Sequence, residues 1–104
     1  MTTIEQRYDE ADRLKNSGKN EEAVAKLLEL VAEAPGYSLA HSALAVLYTR
    51  LKRHEEAIRH AQRVCELEPD DAFSFTALSV TCQRAGLIRE AEDAMAKART
   101  LSGH

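Results

Sequence analysis

The chain has 104 residues, enough for one small domain with one core, and a chain of that size can bury about two-thirds of its unfolded surface without disulfides. A formal net charge of −3 gives no electrostatic case for binding nucleic acid through its phosphates, and nothing approaches the roughly 18 consecutive apolar residues of a membrane span. The only cysteines, Cys65 and Cys82, fit a reduced interior as free packing residues better than an export scaffold.

In chain order, the opening MTTIEQRYDE is polar and acidic where a signal peptide would have a basic start and an apolar run, so a cytoplasmic protein is expected. Thr3 with Gln6 makes a capping-box pattern and predicts a helix from about residue 4. Gly18 ends it, Asn20 opens a second helix, and Pro35 ends that one. Ser38 is expected to cap a third helix, in which Leu44, Leu47, Tyr48 and Leu51 fall at helical spacing. The basic run RLKRH, residues 50–54, reads as a solvated turn. Ala57, Ile58, Ala61, Val64, Cys65 and Leu67 then mark a fourth helix, ended by Pro69, and Asp71 is expected to cap a fifth, with a sixth after Gly86.

Residues 54–60, HEEAIRH, have the flavour of a zinc-protease helix, but such a site needs its histidines at i and i+4 on one face. His54 and His60 are six apart, so they point to different sides of a helix and no metal or other cofactor is expected. His54 is expected at the start of the fourth helix, with Glu55 and Glu56 in the first turn where acids suit the helix dipole, Ala57 and Ile58 in the core and His60 exposed. His41 is expected to be a half-buried packing residue.

The two prolines lie 34 residues apart, and the same step aligns much of the chain. Ala11, Ala45 and Ser79 share a column, as do Leu14, Tyr48 and Cys82; Ala23, Ala57 and Ala91; and Leu30, Val64 and Ala98. Glu22, Glu56 and Glu90 precede the second alanine column, and Gly18 and Gly86 align with Lys52. Each copy reads as two amphipathic helices joined by a tight turn, the small columns letting helix backbones approach closely.

On these residues the chain resembles a tetratricopeptide repeat protein over essentially its full length. The second copy matches best, with Leu44, Ala45, Tyr48, Ala57 and Pro69 where the family pattern has leucine, a small residue, tyrosine, alanine and proline. Departures are the tryptophan column, which reads Arg7, His41 and Phe75, the phenylalanine column, which reads Leu27, Ala61 and Met95, and Gly103 in place of the last proline. The resemblance implies an all-α fold: a right-handed superhelical solenoid of six helices in one domain, with repeats at about 4–37, 38–71 and 72–104.

The outer columns turn polar. Glu92 and Arg99 stand where Val24 with Ile58 and Val31 with Cys65 stand earlier, and Gln6, Glu10 and Arg13 open the chain. Three repeats are therefore expected to make the whole domain, the alternative being a divergent stretch cut from a longer array.

No glycine-rich phosphate loop, nucleophile elbow, Cys-x-x-C or His-x-x-x-His spacing is present, and no enzyme is expected. The resemblance implies instead a protein-interaction module that binds a peptide or partner-protein segment on the concave face lined by the first helix of each repeat. That face would be made by Glu5, Tyr8, Asp12, Lys15 and Asn16 in the first copy. The second would give Leu39, Ser42, Val46, Thr49 and Arg50, and the third Phe73, Thr76, Val80, Gln83 and Arg84. Repeat domains that grip acidic chaperone tails use a clamp of lysine, asparagine and arginine; the matching positions here hold Tyr8, Asp12, Ala43, Phe73 and Ala77, so such tails are not expected as partners, nor are nucleic acid or membranes. The other reading is self-association, as a homodimer or a helix-exchanged assembly using the same apolar face.

Overall fold

The computed structural model describes residues 2–103. They form six helices and no strand: α1 (Ile4–Asn16), α2 (Asn20–Glu33), α3 (Ser38–Arg50), α4 (His54–Leu67), α5 (Ala72–Arg84) and α6 (Ile88–Leu101). Helix starts step by 34 residues, from Ile4 to Ser38 to Ala72 and from Asn20 to His54 to Ile88. Each helix packs against its neighbours in sequence, which draws the molecule out to 44 × 26 × 20 Å.

The three hairpin turns share one geometry. In each, an amide donates back across the turn, Lys19 to Leu14, Arg53 to Tyr48 and Leu87 to Cys82, at 2.8–2.9 Å, a Schellman closure of the first helix. The closure needs a left-handed residue one position earlier, and Gly18 and Gly86 supply it at φ 78° and 82°. Lys52 adopts it at φ 61° without glycine's freedom.

The helix starts follow the repeat register and correct one expectation. Thr3 caps α1 in a complete capping box with Gln6, and Asp71 caps α5 by accepting from the Phe73 amide at 3.0 Å. The matching cap of α3 is Tyr37, not Ser38, and it has no side-chain cap bond. Ser38 falls one position inside the helix, where its hydroxyl donates to Glu68 Oε1 at 3.1 Å and ties the start of α3 to the end of α4. α2 and α4 end just before Pro35 and Pro69, as proline's missing amide hydrogen requires.

The core runs from the first hairpin into the second. Leu27, Leu30, Leu44 and Leu47 are fully buried and interlock with Ala11, Ala23, Ala40 and Ala57. The third hairpin buries smaller groups: Ser79, Cys82, Ala91, Ala94 and Ala98, with the Ser79 hydroxyl donating to the Ala91 carbonyl at 2.7 Å. Glu92, Arg99, Gln6, Glu10 and Arg13 are all exposed. No described helix is long and apolar enough to cross a membrane.

Candidate functional site

α3 and α5 stand side by side in register, with α4 set behind them, and the wedge between them is a groove of about 870 Å³. On α3 the residues Leu39, Ser42, Val46, Thr49 and Arg50 follow helical spacing along one wall, and on α5 Phe73, Thr76, Val80 and Arg84 line the other. Ala61 and Val64 of α4 contribute between the walls. Large apolar groups are left in water here: Phe73 is 82% exposed, Leu39 53%, and Val46 and Val80 44% each.

Nine of the fifteen residues singled out from the sequence for the concave face thus meet in one groove, and Glu5, Tyr8, Asp12, Lys15, Asn16 and Gln83 lie outside it. Tyr8 is half-buried on α1, its ring edge-on to Tyr37 at 5.8 Å, and burial, followed by the nearby Asp12, pushes its phenol up from the ordinary value. Asp12 is held by Lys15 at 3.3 Å and by Asn16. Gln83 sits about 100° round α5 from Arg84 and lines a separate cleft of about 310 Å³ with Ile88, Glu92 and Met95. Ala61 and Val64 read in sequence only as core. Glu68 and Asp71, at the groove's end, flank the proline-ended turn, and their signal was that turn's own carboxylates.

The two arginines differ. Arg50 reaches away to the first hairpin's turn, its Nη1 donating to the Lys15 carbonyl at 3.1 Å and to Asn20 Oδ1 at 3.4 Å. Arg84 has no protein partner among the described residues, which leaves its charge to the groove.

His60, expected to be exposed, is half-buried behind α3. Its ring stacks on Tyr48 and His41, with centroids 5.7 and 5.2 Å away. His41, only 6% exposed, places Nε2 2.8 Å from the Pro35 carbonyl and Nδ1 3.0 Å from His60 Nδ1. A carbonyl only accepts, so His41 carries its proton on Nε2, its Nδ1 accepts, and neutral His60 donates from Nδ1. Burial, then His41 and Arg59, hold the His60 imidazole below its ordinary value against the opposing pull of Glu56. The expectation failed because His41 occupies a large-aromatic column without filling it, and His60 with Tyr48 completes the stack. Among the described residues no three His, Cys, Asp or Glu side chains are grouped to hold a metal ion. Cys65 and Cys82 are buried free thiols; burial pushes Cys65 up to about 11, with its Sγ donating to the Ser74 carbonyl at 3.4 Å.

The fold matches known proteins. The tetratricopeptide repeat family model matches residues 8–72. The TPR repeat-containing thioredoxin TTL4 of Arabidopsis thaliana is 48% identical over 54 residues, which is 52% of this chain and 8% of that protein. Among solved structures, MamA aligns with a TM-score of 0.88 at 20% identity, covering 97% of this chain and 59% of that one. The second TPR of Spaghetti (RPAP3), bound to the HSP90 peptide SRMEEVD, aligns with a TM-score of 0.83 at 18% identity, covering 94% of this chain and 91% of that one. The chain therefore spans a small part of TTL4 and little more than half of MamA, and the structural likenesses show a shared fold. With three helix hairpins stepping by 34 residues and a family match over more than half its length, the chain belongs to the tetratricopeptide repeat family.

Proposed function

We propose that the protein is a non-enzymatic interaction module whose groove between α3 and α5 holds a segment of a partner protein. The observation that carries this reading is the convergence of Leu39, Val46, Phe73 and Val80, all exposed, on one concave strip. An exposed apolar strip rimmed by polar groups is what a protein surface keeps for a partner. The RPAP3 domain bound to its peptide supports the same use of the fold. Apolar anchors supply the affinity, since fully burying one aliphatic or aromatic side chain contributes about 1.5 to 3 kcal/mol. Arg84 sets orientation, because exposed ion pairs give about 0 to 1 kcal/mol.

An acidic chaperone tail is not the proposed ligand. Of the positions matching a carboxylate clamp, Ala43 is buried and Asp12 is an acid already engaged by Lys15. Nucleic acid and membrane surfaces are set aside as well, because the groove's two arginines are balanced by Glu68 and Asp71. The 82% exposure of Phe73 also favours a second reading, in which a second copy of the chain covers the strip. Light scattering over a range of concentrations separates the two, a tight dimer supporting self-association.

With a partner segment in hand, titration against three proteins decides the binding reading. Val46 and Phe73 changed together to alanine should weaken binding at least tenfold with helicity kept, while Arg84→Ala costs at most about fivefold, and only that part fades in high salt. Unchanged affinity in the alanine pair would place the binding surface elsewhere.

A further inference from the structure

We propose, building on the docking reading above, that the groove is made for a dipolar segment: an apolar centre with a basic group at one end and an acidic group at the other. Four charged side chains line the groove, and they are sorted by end. Glu68 and Asp71 lie where α4 stops and α5 starts, the end that Ser38 also marks through its bond to Glu68. Arg50 and Arg84 are the last residues of α3 and α5. Everything between is apolar, alanine or a hydroxyl.

Charge remains available at both ends. Glu68 uses Oε1 for Ser38, and Asp71 uses Oδ1 for the Phe73 amide; the second oxygen of each has no partner among the described residues. Arg84 is likewise unpaired among them. The helix dipoles do not cancel this pattern. The N-termini of α3 and α5 each contribute roughly +0.5 charge beside two full carboxylates, and their C-termini roughly −0.5 each beside two guanidinium groups, so each end keeps the sign of its side chains. A segment acidic throughout would meet repulsion from Glu68 and Asp71, and a basic one from Arg50 and Arg84. Spacing follows from helix length: 13 residues at about 1.5 Å make a groove roughly 20 Å long. An extended segment at about 3.3 Å per residue therefore places its basic and acidic groups about six positions apart.

The test is a display library of random 16-residue peptides, selected on the protein after subtraction on a Phe73→Asp variant shown to be helical by circular dichroism. Phe73-dependent sequences should carry a basic and an acidic group on opposite sides of an apolar centre. One such peptide, followed by fluorescence anisotropy, should bind an Arg84→Glu variant roughly fivefold more weakly. The same peptide with its basic group changed to glutamate should lose a similar factor on the native protein and regain it on Glu68→Lys. Phe73-dependent peptides with no charge order, with one sign of charge only, or indifferent to Arg84→Glu would overturn the dipolar inference and leave the docking reading standing. Recovery of no Phe73-dependent sequence would overturn both.

Discussion

Lys52 holds the left-handed backbone that Gly18 and Gly86 hold in the other two hairpin turns, and it bears a Cβ penalty they avoid. Lys52→Gly should stabilise the protein by about 1 kcal/mol, net of the extra freedom glycine has in the unfolded chain, raising Tm by about 4 to 8 °C in thermal melts. A second residue-scale effect depends on pH. The folded environment lowers the His60 value from 6.5, so below about pH 6.5 the unfolded chain binds more protons than the folded one. The stability this group contributes is present above that pH and lost as the pH falls. Melts between pH 8 and pH 5 should show a steeper fall in Tm for the native protein than for His60→Phe, which keeps a ring on Tyr48 but removes the titrating group. Equal slopes would contradict the assignment. Neither role was legible beforehand: Lys52 showed only as a break in a glycine column, and His60 was misplaced because its burial depends on His41 from another helix.

At the scale of helices the hairpins are unequal. Those formed by α1 to α4 bury Leu27, Leu30, Leu44 and Leu47, whereas α5 and α6 bury alanine, serine, threonine and cysteine and so remove less apolar area from water. Hydrogen exchange should therefore show α5 and α6 amides opening at lower free energy than those of α2, α3 and α4. Uniform protection across all six helices would show that the small-residue packing is as strong. Helix existence, order and ends were legible in the sequence because a 34-residue step repeats the turn and proline signals. The one misassigned cap had the same remedy in plain view, since Thr3, Tyr37 and Asp71 occupy a single column and Ser38 falls one past it.

At the scale of the whole molecule, the repeat geometry turns separate helix faces into one surface. Leu39, Val46, Phe73 and Val80 could be named from the family resemblance, which implies that the first helix of each repeat lines the concave face, and all four are exposed. That Gln83 leaves this surface, and that Ala61, Val64, Glu68 and Asp71 join it, depends on how α4 sits behind the first helices, which no single-helix pattern encodes. The central claim is that this groove is where a partner segment docks. The most direct measurement is a nitrogen-15 NMR titration of the labelled protein with a peptide selected on it. Shifts should concentrate at Leu39, Val46, Phe73, Val80 and Arg84, with α1 and α6 little changed; shifts confined to α1, α2 or α6, with the groove resonances unmoved, would contradict it.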